Sequence, residues 1–183
     1  MIMKQLKIIS INSLVFFLIS FVAISQTSIG TKTVQNSNVL LEFNEDENRG
    51  IILPWVINQN DVVTPVGGTL IFDSTDKKVK FYRSGLNPSW QDISINSGDV
   101  DTSIQTGFTE TSNKTIIGAK TSMANGVLVL EATDKAMVLP NVTSPHLNII
   151  KPVAGTMVYD KVSKMMCLFN GLEWSFWKID ESL

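Results

Sequence analysis

The feature that most constrains this chain is a stretch of fifteen residues that occurs twice. Residues 68–82 begin with Gly-Thr-Leu-Ile-Phe-Asp, and residues 155–169 begin with Gly-Thr-Met-Val-Tyr-Asp. Each copy has an extended apolar segment, a polar turn and a second extended segment, followed by a glycine-containing turn and a tryptophan, Trp90 or Trp174. Short alternating segments bounded by turn residues indicate a small β-meander. The chain therefore contains the same predicted β-meander twice.

The repeat is larger than the meander, because three shorter blocks precede each copy in the same order. They are residues 29–33, 39–42 and 50–54 in the first half, matched by residues 117–121, 128–131 and 136–140 in the second. Matched residues stay about 87 positions apart. The prolines that close the third blocks cannot donate to a strand ladder, so each ends a strand. We take residues 29–93 and 117–178 as two homologous units.

No segment shows a sustained helical period, so the sequence predicts a mostly β chain with two tandem small β-meander modules after a signal peptide. The predicted divisions are residues 1–25 for the signal peptide, 26–93 for β-module 1, 94–116 for a Ser/Thr/Gly/Asp-rich linker, 117–178 for β-module 2 and 179–183 for a tail. The linker composition fits either a connection or one or two poorly packed extra strands, and a semi-ordered connection is favoured.

The N-terminus predicts export. Lys4 and Lys7 precede an apolar run over residues 8–24, and Ala23 and Ser25 occupy the −3 and −1 positions of a cleavage site. An uncleaved membrane anchor is the alternative, but the run is short and interrupted by polar residues. We therefore expect a protein of the periplasm, the cell surface or the extracellular space, without a membrane span after cleavage. The remaining chain has 15 − 2 = 13 basic and 17 acidic residues, a net charge of 13 − 17 = −4, and no basic cluster for nucleic acid.

The sequence offers little for catalysis. Its one histidine is His146, beside a proline in a predicted loop, and its one cysteine is Cys167, between apolar neighbours and without a partner for a disulfide. No glycine-rich phosphate loop, paired carboxylates or metal-ligand spacing occurs. We predict no catalytic residues, no cofactor, no metal site and no enzymatic activity.

Small size predicts that the units depend on a neighbour. A unit of about 60 to 65 residues without a disulfide or metal lies near the lower limit for an independent core. The second strand of the first hairpin has a polar face, predicted to be solvated, whereas the matching face of the second hairpin is apolar; the residues are Lys78, Lys80 and Tyr82 in the first and Met165, Cys167 and Phe169 in the second. The apolar face is predicted to pack on unit one or on another chain of a homo-oligomer, and the alternative is an internal core strand of unit two.

The four tryptophans divide into two pairs. Trp90 and Trp174 stand at matching repeat positions, which indicates a shared packing role. Trp55 and Trp177 have no aromatic counterpart, and Asn141 stands where a second Trp55 would be. Trp55 and Trp177 are therefore the candidates for display to a glycan or protein partner.

These blocks resemble modules of exported and cell-surface proteins of Bacteroidetes, the flavobacterial secreted proteins especially, and the hairpin over residues 68–82 is similar to segments of phage tail-fibre proteins. The resemblance implies β-rich stalk or adhesin-like pieces and supplies no catalytic residues. We expect a non-enzymatic exported structural, adhesive or assembly component of the cell envelope or surface, partnered by protein or by itself. A fibre-like trimer is one arrangement open to small β-meanders with apolar second faces. The alternative is a carbohydrate- or small-ligand-binding module that uses Trp55 and Trp177.

Overall fold

The computed structural model describes residues 26–45, 47–109 and 114–178. The predicted signal peptide and tail lie outside the described residues. The described residues are mostly β, with 34% of them in strands and 7% in helices, as the sequence predicts. Within the described residues, no helix is long and apolar enough to span a bilayer.

The two units have the same order of elements. The first contains β1 (Thr27–Ile29), β2 (Val39–Phe43), β3 (Ile51–Ile52), β4 (Trp55–Val56), a 3-10 turn (Gln59–Asp61), β5 (Leu70–Asp73), β6 (Lys78–Arg83) and β7 (Ser89–Asp92). The second contains β8 (Thr115–Ile117), β9 (Leu128–Leu130), β10 (Ala136–Met137), β11 (Asn141–Val142), α1 (Pro145–Asn148), β12 (Thr156–Asp160), β13 (Met165–Phe169) and β14 (Trp174–Trp177). A 3-10 turn (Thr102–Gln105) lies between them. The prediction of two tandem β-meander units is confirmed.

Strand pairing follows the repeat. In each unit the last three strands form an antiparallel meander, β5-β6-β7 or β12-β13-β14, and a two-residue strand pairs in parallel with the first of them, β4 with β5 and β11 with β12. Upstream, β1 pairs in parallel with β2, and β8 with β9. Such short parallel pairs, stacked along the chain, give this part a β-solenoid-like character.

The core is shared by the two units. One buried apolar cluster contains Leu53, Phe72, Val79 and Ile93 from the first unit, and Ala154, Met157 and Leu168 from the second. A unit of this size buries too little apolar surface alone, and packing the two meanders together removes more of it from water. The neighbour that each small unit requires is therefore, at least in part, the other unit of the same chain.

The connecting segment starts as packed structure. Ser94 is buried, the N–H of Gly98 donates to the Lys77 carbonyl at 2.8 Å, and the N–H of Asp99 donates to the Asn170 carbonyl at 3.1 Å. Lys77 belongs to the first hairpin, and Asn170 follows the second. The beginning of the segment therefore ties the two hairpins together.

The face of β6 that the sequence predicted to be solvated is not solvated at Lys80, and that prediction is wrong. This side chain is only 4% exposed, and its ammonium contacts Asp76, Asp92 at 3.5 Å and Asp73 at 3.7 Å. It also donates to the Gln59 side-chain oxygen at 2.8 Å. The alternation of polar and apolar residues along β6 correctly places Lys80 on the polar face of the strand. This face is covered by acidic side chains of the hairpin and of β7. Burial disfavours the ammonium, yet the Asp76 hydrogen bond and the three carboxylate charges outweigh it and raise the pKa of Lys80.

Each hairpin begins with a buried aspartate that holds its turn. Asp73 accepts the N–H groups of Thr75 at 2.9 Å and Asp76 at 3.0 Å, and its second oxygen accepts the N–H of Gln59 at 2.9 Å. Aspartate is favoured at such positions because its carboxylate accepts nearby backbone N–H groups. The same carboxylate thus joins the hairpin turn to the 3-10 turn.

Asp160 has the matching role in the second unit. Its carboxylate accepts the N–H groups of Val162 at 2.9 Å and Ser144 at 3.0 Å and the Ser163 hydroxyl at 2.7 Å. Burial opposes the charge, but these hydrogen bonds outweigh burial, so the pKa of Asp160 lies below its usual value of 3.8. The ionised form is therefore the one that the fold stabilises.

The lowered pKa of Asp160 predicts an acid-sensitive fold. A group with a depressed folded pKa stabilises the protein above its unfolded pKa, and that contribution is lost as the pH falls through the folded pKa. We expect the free energy of unfolding to fall below about pH 4, with about 1–3 kcal/mol due to hydrogen bonds of this carboxylate. Urea unfolding at pH 7, 4 and 2.5 measures it. In Asp160→Asn the loss between pH 7 and 2.5 should shrink; an unchanged loss would contradict the assignment.

Candidate assembly site

The two units are joined by strand exchange. Strand β3 of the first unit pairs antiparallel with β12 of the second, with Ile51 opposite Met157 and Ile52 opposite Thr156. Beyond the end of β3, the N–H of Leu53 donates to the carbonyl of Gly155 at 3.0 Å. The first unit thereby adds a short strand to the sheet of the second.

A second exchange runs in the opposite direction. Strand β10 of the second unit pairs in parallel with β2 of the first, with Ala136 opposite Val39 and Met137 opposite Leu41, across a local irregularity in register. The result is a three-stranded sheet in the order β1-β2-β10. Addition of a strand to an open sheet edge is a general way for protein segments to bind one another, because the backbone itself supplies the hydrogen bonds.

Trp55 and Trp177 both bond across the boundary between the units. The indole N–H of Trp55 donates to the carbonyl of Ala154 at 2.7 Å, and the ring lies 6.4 Å from that of Phe72. The indole N–H of Trp177 donates to the carbonyl of Ile93 at 2.6 Å, and this side chain is 44% exposed. Neither tryptophan has an aromatic counterpart in the repeat, so these two indole hydrogen bonds belong to the junction within the chain. Binding of a glycan or protein by these two residues stays a prediction.

Trp90 and Trp174 have equivalent surroundings. The Trp90 ring packs edge-on against Tyr82, with ring centres 5.3 Å apart, and the Trp174 ring packs against Phe169 at 5.2 Å. Tyr82 and Phe169 occupy the same position of the fifteen-residue repeat. The two tryptophans therefore close their meanders in the same way, as the repeat indicates.

The apolar face of the second hairpin is covered largely by its own unit. Cys167 is fully buried with Val142 and Val158, and Ile149 and Trp174 pack against this group. The structure thus places this strand in the interior of unit two. Burial, together with the nearby Asp160 charge, raises the pKa of the Cys167 thiol to about 11, so the side chain is a neutral thiol at physiological pH.

The other two residues of this face lie nearer the surface. Phe169 is 8% exposed beneath the Trp174 ring, and Met165 is half-buried at the start of β13. A role of Met165, Cys167 and Phe169 in partner binding stays a prediction.

The residues considered for catalysis do not converge. His146 is exposed on α1, the short helix at a position that the sequence placed in a loop, and its ring lies 5.7 Å from that of Phe176. In the described ranges, no three His, Cys, Asp or Glu side chains form a group that could hold a metal ion. Among the described ion pairs, Lys80 is the cation with the most carboxylates around it, and its ammonium lies between Asp73, Asp76 and Asp92.

Sequence reasoning missed the junction at Leu53 and Gly155. The sequence signal for this junction is that Trp55 and Trp177 have no aromatic counterpart in the other unit. A residue that the repeat does not duplicate indicates that the two units differ in environment at that position. Display of these two residues to a partner stays a prediction, and the structure shows that both also form hydrogen bonds to the other unit.

The fold and the junction define a class of protein: a β-repeat protein whose units associate by exchanging short strands. A family model described as the phage tail like trimerisation region matches residues 116–181, which include the second unit. This match agrees with the similarity of the hairpin to phage tail-fibre segments, while the resemblance to Bacteroidetes surface proteins stays a prediction. Comparison with curated proteins and with solved structures found no match.

Proposed function

We propose that this protein is a non-enzymatic structural component that associates with two further copies of itself into a fibre-like homotrimer. The observation that carries the proposal is the match of residues 116–181 to a trimerisation region of phage tail type. The match covers every strand of the second unit except Thr115, the first residue of β8.

The fold supports self-association for a physical reason. The two units already recognise each other through backbone pairing and a shared apolar cluster, so the surfaces of a unit are suited to binding another unit. Closed symmetric homo-oligomers are the usual result when such surfaces occur on every copy of a chain. The apolar leader over residues 8–24 and its cleavage-like end support the further proposal that the protein is exported before it assembles.

The test of the trimer is its mass in solution. We expect light scattering and native mass spectrometry of the purified protein to give three times the mass of one chain, over protein concentrations from about 1 to 100 micromolar, a range that distinguishes moderate from weak association. A single-chain mass throughout this range would contradict the proposal. Fractionation of the producing cells, with detection of a chain shortened at Ser25, tests export separately.

A further inference from the structure

We infer that one copy binds the next by repeating the junction that joins units one and two within the chain. In this contact, β10 of one copy adds to β5 of the next copy, and β3 of the next copy adds to β9 of the first. The inference rests on the proposed self-association and names the surfaces that it uses.

The first support is a turn that occurs in both units at a Gly-Thr pair, Gly68-Thr69 before β5 and Gly155-Thr156 at the start of β12. We call this turn the corner. In the second unit the N–H and the hydroxyl of Thr156 both donate to the Val153 carbonyl, at 3.0 and 2.5 Å. In the first unit Thr69 does the same to the Val66 carbonyl, at 3.1 and 2.8 Å. The glycine before each threonine has a positive φ, 80° at Gly155 and 90° at Gly68. The corner whose Gly155 carbonyl accepts the N–H of Leu53 therefore has a counterpart at Gly68 in the first unit.

In the part of the chain that the structure describes, only the corner at Gly155 has a strand of the other unit against it. A Cβ atom placed on Gly155 would lie 3.3 Å from Phe72 Cβ and 3.5 Å from the Leu53 carbonyl oxygen, both in the first unit. A Cβ atom placed on Gly68 would meet no atom of the described residues within 4 Å. Strand β4 pairs with Phe72 and Asp73 along one edge of β5. On that same edge, no described strand pairs with Leu70. The corner at Gly68 is thus an empty copy of the one that β3 fills.

The strand that would fill it is β10. The N–H groups of Ala136 and Val138 donate to carbonyls of the β2 segment at 2.8 and 2.9 Å. Successive backbone groups of a strand point to opposite edges, so the N–H of Leu139 points away from β2. Leu139 matches Leu53, whose N–H bonds to Gly155, and within the described residues no backbone carbonyl accepts the N–H of Leu139. Each copy therefore has the donor of this junction on one unit and the acceptor on the other.

The second pair of edges is that of β9 in one copy and β3 in the next, and it corresponds to the pairing of β2 with β10 within the chain. Under β10, Val39 and Leu41 of β2 are 5% and 0% exposed. Among the described strands only β8 pairs with the matching β9, and there Leu128 is 46% exposed. The strand equivalent to β10 is β3 of the next copy, where Ile52 is 54% exposed. Covering these large apolar side chains removes them from water, so this contact favours association.

The contact is heterologous, because it joins different surfaces of the two copies. A heterologous contact closes into a ring if its rotation permits and otherwise continues as an open filament. With a trimerisation region in the second unit, we assign the closed ring of three copies. Each copy in such a ring uses four strand edges, one each of β3, β5, β9 and β10.

Disulfide cross-linking tests the register. Within the chain Thr156 faces Ile52 in a non-hydrogen-bonded pair, because the next pair, Gly155 and Leu53, is hydrogen-bonded. The equivalent pair between copies is Thr69 with Val138. Opposite Cα atoms of a non-hydrogen-bonded antiparallel pair are about 4.5 Å apart, which a disulfide can span. In a Thr69→Cys, Val138→Cys double variant we expect most chains to form disulfide-linked dimers and trimers on oxidation, mapped by mass spectrometry apart from the buried Cys167.

Two controls make the cross-link specific. The single variants Thr69→Cys and Val138→Cys should each stay uncross-linked, and their mixture should yield one disulfide-linked heterodimer. The double variant Thr69→Cys, Leu172→Cys, with Leu172 67% exposed in a meander turn, should not link. An intrachain Thr69–Val138 disulfide, or equal linking with Leu172, would overturn the inference.

Charge substitution gives an independent measurement on chains that keep their fold. Leu128→Lys and Ile52→Lys each place an ammonium on an edge that the next copy covers, and we expect each to weaken association at least tenfold. Leu172→Lys is the matched control and should associate as the parent does. A trimer that keeps its affinity in both edge variants, and lacks the Thr69–Val138 link, would overturn this inference and leave the proposed trimer standing. A monomeric parent protein would contradict the proposed function itself.

Discussion

Replacement of Phe72 by alanine is expected to lower the free energy of unfolding by about 3–5 kcal/mol and to destabilise both units at once. Phe72 has no exposed surface and lies in the cluster that contains Met157 and Leu168 of the second unit. Loss of the ring leaves a cavity at the junction in addition to the lost transfer free energy. Because the cavity would be lined by both units, the substitution should not act on the first unit alone.

Urea unfolding combined with amide hydrogen exchange measures this effect at one fixed protein concentration, since association also contributes to stability. We expect one cooperative transition, with protection lost together in β5–β6 and in β12–β13. The matched control is Tyr159→Ala, at the equivalent repeat position but only half-buried, which should cost less. Protection retained in β12–β13 of Phe72→Ala would show that the two units have separate cores.

Lys80→Met is expected to be nearly as damaging, with a loss of about 3–5 kcal/mol. Methionine preserves much of the apolar stem but removes the ammonium between Asp73, Asp76 and Asp92. Asp73 has no exposed side-chain surface, so its charge would remain buried without the cation. Removing one partner of a buried ionic group costs more than the net value of the pair, because the remaining charge is uncompensated.

The control for Lys80 is its neighbour on the same strand. Lys78 forms an ion pair with Asp92 at 2.8 Å, but its side chain is 22% exposed and Asp92 is 44% exposed. Such pairs contribute about 0–1 kcal/mol, so Lys78→Met should have a small effect on the urea midpoint. If Lys80→Met and Lys78→Met lowered the free energy of unfolding equally, the conclusion that the buried charge of Lys80 stabilises the fold would be wrong.

The pH dependence gives a further check on the Lys80 cluster. The raised pKa of Lys80 means that its contribution is present below the unfolded pKa and is lost as the pH rises through the folded pKa. The lowered pKa of Asp92, where burial is outweighed by Lys78 and Lys80, means that its contribution is lost at acid pH. The cluster should therefore stabilise the parent protein across the neutral range.

The repeat predicted much of the fold, because its signals are local. A turn such as the one after Asp73 is specified by side chains that bond to backbone a few residues away, and Asp160 does the same in the second unit. The closing tryptophans also act within their own meanders. A mostly β chain with two equivalent meanders could therefore be predicted without knowledge of how the meanders meet.

Trp55 shows why part of the candidate site was beyond prediction. Its lack of a repeat counterpart was visible, but the partner of its indole is a carbonyl 99 positions away, at Ala154. Lys80 is a second example, since alternation tells which side chains share a face and not which groups cover that face. Its carboxylates come from the hairpin and from the adjacent strand.

The sequence by itself determined the duplicated meander, its turns and the pairing of neighbouring strands, because these depend on residues close together in the chain. Only the tertiary structure decided that β3 joins the sheet of the second unit and that β10 returns to the first. It also decided that no described strand of the same chain covers the matching edges at Gly68 and Leu128. Pairing between distant strands is set by the shared apolar core, whose packing involves residues from both units together.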